Sequence, residues 1–134
     1  MEIIHRDTDY ALRVLVRLAA ARPEQTLSVR FLAAETEVPE EYLRKIAQKL
    51  VAAGIVLSER GRFGGLRLGR DPKRIALLDV MDALDATPAI NRCFMDQETC
   101  GRRDRCPLRP HLTELNAAVA RLFRDATLAA LVHP

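Results

Sequence analysis

The chain carries three cysteines, Cys93, Cys100 and Cys106, spaced Cys-x6-Cys-x5-Cys. An odd number of thiols on one short stretch points to metal or redox chemistry rather than a structural disulfide framework. Structural zinc sites bring their ligands in close pairs such as Cys-x2-Cys, and none is present. A helical i,i+3 or i,i+4 pair is also absent. Three thiols on an irregular loop can converge on a larger object, and an iron–sulfur cluster is one. Arg92, Arg102, Arg103 and Arg105 lie close by in sequence. Their charge favours thiolate, the form that binds iron, and would offset an anionic cluster. Spacing alone leaves three readings open: a cluster, a thiol redox switch, and three incidental cysteines. A cluster normally takes four protein ligands. His5, Asp7, Asp9 and His111 are the candidates for the fourth.

The second chemical feature is charge. Net charge is only +3, but its distribution is uneven. Residues 44–74 hold Arg44, Lys45, Lys49, Arg60, Arg62, Arg67, Arg70, Lys73 and Arg74 against Glu59 and Asp71. That is a local excess of seven positive charges, and the rest of the chain is slightly acidic. Such a zone is the electrostatic footprint expected for a phosphate backbone.

The elements that position these groups are legible from periodicity and caps. A first helix fits Thr8 to about Arg22, with Tyr10, Leu12, Leu15, Val16 and Ala19 as its apolar stripe. Ser28 is placed to cap a short second helix that ends near Glu35–Glu37. Pro39 opens a third helix, and Glu40 and Glu41 in its first turn suit the helix dipole. Tyr42, Leu43, Ile46, Leu50 and Val51 form its predicted buried face, and Gly54 accepts the left-handed cap. The period then changes. Residues 55–59 and 66–68 read as a hairpin whose tip carries Gly61 and Gly64-Gly65. Helix, turn, helix and basic hairpin is the order of a winged helix-turn-helix.

Asp71-Pro72 breaks the hairpin, and a short amphipathic helix is expected over Leu77–Leu84. A long helix runs from about Arg109 to Asp125. Its residues Leu108, Leu112, Leu115, Val119, Leu122 and Ala126 form a heptad-like seam suited to pairing with a second copy. The fold class is therefore mainly α with a small β-hairpin. Residues 1–75 form the winged helix-turn-helix, and 76–134 the cysteine loop and dimerisation helix.

Composition narrows the function classes. Apolar residues make up 49% and charged residues 29%, enough for a core and a solvated surface. The longest charge-free run, Leu50–Ser58, is far short of a membrane span. No apolar signal core opens the sequence, so a cytoplasmic location is expected. No Ser/His/Asp arrangement or phosphate-binding loop supports an enzyme. In a winged reader, the third helix enters the major groove. Arg44 or Lys45 can pair with guanine, Glu41 can accept from cytosine N4, and Lys49 reaches phosphate. If each protomer neutralises about four phosphates, a dimer has a log–log salt slope near −7.

Three segments then carry a resemblance: Thr8-Asp9-Tyr10-Ala11-Leu12-Arg13, Val38-Pro39-Glu40-Glu41-Tyr42-Leu43, and Arg60-Gly61-Arg62-Phe63-Gly64-Gly65-Leu66-Arg67-Leu68-Gly69. With Leu78-Asp79-Val80 and the three cysteines in order, the chain resembles the winged-helix regulators typified by IscR, NsrR and RirA. The resemblance implies a homodimeric regulator, expected to be a repressor, that binds double-stranded DNA. Its affinity would be set by a [2Fe-2S] or [4Fe-4S] cluster sensing NO, iron, or redox and cluster status. By resemblance, Asp9 from the partner subunit is the fourth ligand. The position where IscR-like proteins place a histidine is Arg109, which stays protonated. Also by resemblance, Arg60 dips into the minor groove, with Arg62 beside it. No membrane and no small-molecule substrate beyond NO or oxygen are implied. The alternatives are a cluster-free thiol-switch regulator and a winged-helix module for protein contacts.

Overall fold

Apolar spacing and local caps set the first three helices, and the computed structural model, which describes residues 2–91, 93 and 100–132, shows their bounds. Helix α1 spans Arg6–Ala19, α2 Val29–Thr36 and α3 Glu40–Ala52. The Ser28 side chain accepts the Phe31 N–H at 3.1 Å, the expected N-cap of α2. Glu37 takes a left-handed conformation (φ 56°) that ends it. Helix α1 begins and ends earlier than its apolar pattern suggests. Pro23 disfavours helical backbone at Arg22, and the chain turns there, with Gln25 N–H donating to Arg22 O. The fully buried face of α1 is Ala11, Val14, Leu15 and Leu18. The expected stripe residues Tyr10, Leu12, Val16 and Ala19 are half-buried around it. Pro39 is the N-cap of α3 rather than its first residue. Val51 is exposed, and Ala47 takes a buried place in its stead. Gly54 closes α3 at φ +73°, with Ile55 N–H reaching back to Leu50 O.

The hairpin follows as β1 (Val56–Glu59) and β2 (Gly65–Leu68), antiparallel with Val56 opposite Leu68 and Glu59 opposite Gly65. Leu27 adds a further rung on the other edge of β2 by exchanging both backbone hydrogen bonds with Leu66, at 2.9 and 2.8 Å. The wing is thus sewn to the loop before α2. Gly65 lies so close to that loop that a Cβ there would sit 2.2 Å from Leu27 O.

Beyond the wing come a 3-10 turn (Pro72–Arg74), α4 (Leu77–Ala83), a second 3-10 turn (Arg103–Arg105), α5 (Arg109–Asp125) and α6 (Leu128–Val132). Helix α5 has the bounds its periodicity predicts. It packs on α4, and the Ile90 N–H donates to Asn116 Oδ1 at 3.1 Å. Helix α6 was not foreseen. Thr127 bridges to Ala76, and Leu128 N–H donates to Ile75 O at 2.8 Å. Leu128 and Ile75 are both buried in the core that α1, α3 and the wing share. Among the described residues, no helix is long and apolar enough to cross a membrane.

Among the described residues, Thr8 is the one buried polar side chain; it is 1% exposed, and its Oγ1 has no hydrogen-bond partner there. An unsatisfied buried hydroxyl is a net cost. Thr8→Val removes it at similar shape, so urea unfolding should show a gain of about 1 kcal/mol.

Candidate functional site

Part of the basic zone lines one concave face. Leu43, Ile46, Ala47 and Leu50 bury one side of α3. The helical period therefore turns Glu41, Arg44, Lys45, Gln48 and Lys49 outward, and all five are exposed. A groove of about 520 Å³ lies between this helix and the wing. Arg44, Gln48 and Val51 line it from α3, Val29 from α2, and Ser58, Arg60 and Leu66 from the hairpin. Two candidate readers from distant segments, Arg44 and Arg60, thus share one groove. Arg44 is held by Glu40 at 2.7 Å, with both side chains exposed. Such a helical pair contributes only about 0.3–0.5 kcal/mol, so it orients the guanidinium without locking it away.

The other basic residues divide by their partners. Lys49 lies 3.4 Å from Asp85, on the side of α3 facing the end of α4. Arg67 pairs with Glu59 at 2.9 Å, and Arg70 donates to Ala53 O at 2.8 Å. Arg62 stands over the Phe63 ring at 5.8 Å. Local charge therefore overstates what the surface offers: two of the wing-side arginines are committed within the chain.

Helix α3 is tied to α1 at its N-terminal end. The Tyr42 hydroxyl donates to the Asp7 carboxylate, and its ring meets Tyr10 edge-on at 5.4 Å. The Asp7 hydrogen bond, aided by desolvation, holds the phenol above its ordinary value. A raised value means that the folded state favours the neutral phenol. Its contribution is complete below the normal tyrosine range and is lost as pH climbs through the raised value.

Two of the cysteines, Cys100 and Cys106, are positioned by backbone turns. Arg103 N–H donates to Cys100 O, Cys106 ends the 3-10 turn Arg103–Arg105, and Arg109 N–H donates to Cys106 O as α5 begins. Cys93, Cys100 and Cys106 all line one cavity of about 390 Å³, with Arg103, Arg109 and Leu112 among its walls. Arg102 and Arg105 line an adjoining cleft that also holds Cys106. Arg92 lies outside the described residues. Cys100 is exposed, and Cys93 and Cys106 are half-buried. Among the described residues, no set of three or more His, Cys, Asp or Glu side chains is arranged to hold a single metal ion. Three sulfur donors around one cavity, with guanidinium groups in its walls, nonetheless suit a multinuclear anionic group better than a lone cation.

None of the candidates for a fourth ligand lines that cavity. Asp7 is engaged by Tyr42. His5 is the N-cap position of α1, and His111 is exposed in the first turn of α5. Asp9 points outward, 2.8 Å from Arg13. It stands at the rim of a second groove of about 660 Å³, floored by Leu12, Val16, Ala20 and Leu131. On α5, Leu108, Leu115 and Leu122 are 63%, 56% and 71% exposed. Leu112 and Val119 are half-buried on the adjacent strip.

Sequence reasoning missed Gln48, Ser58 and Leu131. Gln48 is one helical turn beyond Arg44 and was accessible from the period of α3. Ser58 and Leu131 join their grooves only through tertiary packing.

The comparisons with known proteins agree with this geometry. The Rrf2 family, described as "Iron-dependent Transcriptional regulator", matches residues 4–134. The HTH-type transcriptional regulator NsrR of Bacillus subtilis is 34% identical over 126 residues, covering 93% of this chain and 86% of that protein. NsrR of Geobacillus kaustophilus is 33% identical over 127 residues, covering 94% and 86%. The solved structure of CymR, the global cysteine regulator of B. subtilis, superposes with a TM-score of 0.81 at 27% identity, covering 98% of this chain and 97% of that one. T. potens IscR shares the fold at a TM-score of 0.76 and 22% identity, covering 96% and 85%. With a wing, a basic reading helix and a match over almost its whole length, the chain belongs to the Rrf2 family of transcriptional regulators, which are not enzymes.

Proposed function

We propose that the protein is a homodimeric DNA-binding repressor whose affinity is set by an iron–sulfur cluster responding to NO, iron or redox status. Cys93, Cys100 and Cys106 supply three thiolates, and the partner subunit's Asp9 supplies the fourth ligand. Residues 1–75 read DNA, and residues 76–134 hold the cluster and dimerise through Leu108, Leu112, Leu115, Val119 and Leu122. The observation that carries this reading is the one cavity lined by all three cysteines; among the described residues, no carboxylate or imidazole joins its walls. Asp9 stands outward at the edge of a partly apolar groove, where a second copy can meet it. A bound cluster would supply a site that NO or oxygen can attack and that iron shortage can empty.

The coupling lies in the protein's own geometry. A protomer that lends a carboxylate to its partner's thiolates is held in one pose relative to it. Once that link is released, the two reading helices are free to change their half-site spacing. Arg44 or Lys45, with Glu41, addresses base edges, Lys49 the backbone, and Arg60, with Arg62 beside it, the minor groove.

Three free thiols, one exposed and two half-buried, keep a thiol switch as the competing reading. Anaerobic purification with iron and acid-labile sulfide analysis separates the two. Iron and sulfide in comparable amounts support the cluster; metal-free protein with reversible thiol oxidation supports the switch. On DNA, Arg60→Ala should weaken binding and flatten the dimer's salt slope by about 2, one phosphate-like contact per protomer. Filter binding from low to high salt measures it.

A further inference from the structure

The wing tip holds a side chain that the fold does not use. Phe63 is 86% exposed, the most exposed large apolar residue among those described, and it joins no part of the core. An aromatic ring left in water forgoes about 1.5–3 kcal/mol of burial. The backbone beneath it is nonetheless well fixed. Gly64 N–H donates to Gly61 O at 3.0 Å, closing a tight turn with Arg62 and Phe63 at its two corners. Gly61 takes φ +110°, a conformation few other residues allow. Thr26 Oγ1 donates to Phe63 O at 3.0 Å and pins the tip to the loop before α2. The Arg62 guanidinium lies 5.8 Å from the ring centre and shields one face of it. A rigid corner that offers a ring and a cation together, on the same hairpin as Arg60, matches a nucleic-acid groove in shape and charge. Apolar wedges flanked by basic groups are how proteins pry apart base steps from the minor-groove side.

We propose that Phe63 is an intercalating wedge: it enters the minor groove beside Arg60 and Arg62 and unstacks one base step. The recognised site would then carry a flexible pyrimidine–purine step at that position, one read through deformability rather than hydrogen bonds. This inference rests on the DNA-binding reading.

The test starts with the full-length wild-type protein, which selects duplexes from a random pool. The recovered duplex is then labelled with 2-aminopurine, one position at a time, across the segment covered by the wing. Wild-type protein should raise fluorescence at one step, and Phe63→Ala should abolish that rise. Affinity of dimeric Phe63→Ala for the selected duplex should fall about a hundredfold, roughly tenfold for each of two lost base–aromatic contacts. Phe63→Leu, still an apolar wedge, should keep most of both signals. Melting temperatures should match, because the ring supports nothing in the fold. A selected duplex bound equally well by Phe63→Ala, with no fluorescence change for either protein, overturns the wedge and leaves the DNA reading standing. A pool from which wild-type protein recovers nothing overturns both.

Discussion

Replacing any one of Cys93, Cys100 or Cys106 with alanine is expected to leave anaerobically purified protein without visible absorbance and without bound iron. The three cysteine side chains face one cavity, and no other cysteine is present to substitute. The operator affinity of each variant should equal that of cluster-free wild-type protein. Between cluster-loaded and cluster-free wild type we expect a difference of roughly 5- to 150-fold, the usual range for coupling between two sites. Global stability should change little, since no cysteine belongs to the core cluster. Asp9→Ala should give a more easily bleached cluster rather than none, because it removes the single oxygen donor and leaves the sulfur set complete. Mixing Asp9→Ala with Cys100→Ala protein adds a sharper check. If each protomer takes its carboxylate from the other, half the mixed dimer's sites are intact. Wild-type protein that stays colourless and metal-free after anaerobic reconstitution would refute this assignment.

The largest expected effect on stability falls at Gly65. A methyl group there would lie 2.2 Å from Leu27 O and 2.5 Å from Leu27 C, both backbone atoms. Neither can rotate away as a side-chain tip could, so the Leu27–Leu66 rung must open. Gly65→Ala should cost about 3 kcal/mol, the upper end of overpacking effects. Thermal unfolding should fall by about 10 °C for a domain of this size. DNA binding should weaken as well, because the lost rung is what sets the wing against α2. Gly101→Ala is the contrasting control, since no described atom lies within 4 Å of its added carbon. Equal melting points for the two variants would show that the wing is not anchored through Leu27.

Legibility from the sequence followed the range of the forces involved. The Ser28 cap, the Gly54 stop and the full extent of α5 are local events, and local residue types announced them. The end of α1 was misjudged because apolar spacing continues past Ala19 while Pro23 already bends the backbone. Five residues of α6 are too few to show a period, and their position depends on Ile75, far away in sequence. The candidate site divides in the same way. Arg44 and Arg60 were recognisable singly as charges, but their shared groove with Gln48 exists only once the wing folds against α3. Cysteine spacing could not show that one cavity gathers all three. The role proposed for Asp9 depends on a second copy, which no single chain displays.

The pairing of Leu128 with Ile75 bears on which part of the chain can fold unaided. Leu128 lies far beyond the wing in sequence, yet it fills the same buried core as α1, α3 and the hairpin. Completing that interior therefore needs a long-range closure, the kind of contact that slows folding. Residues 1–75 thus do not close their own apolar interior, and that segment alone is expected to unfold more easily than it does within the intact protein.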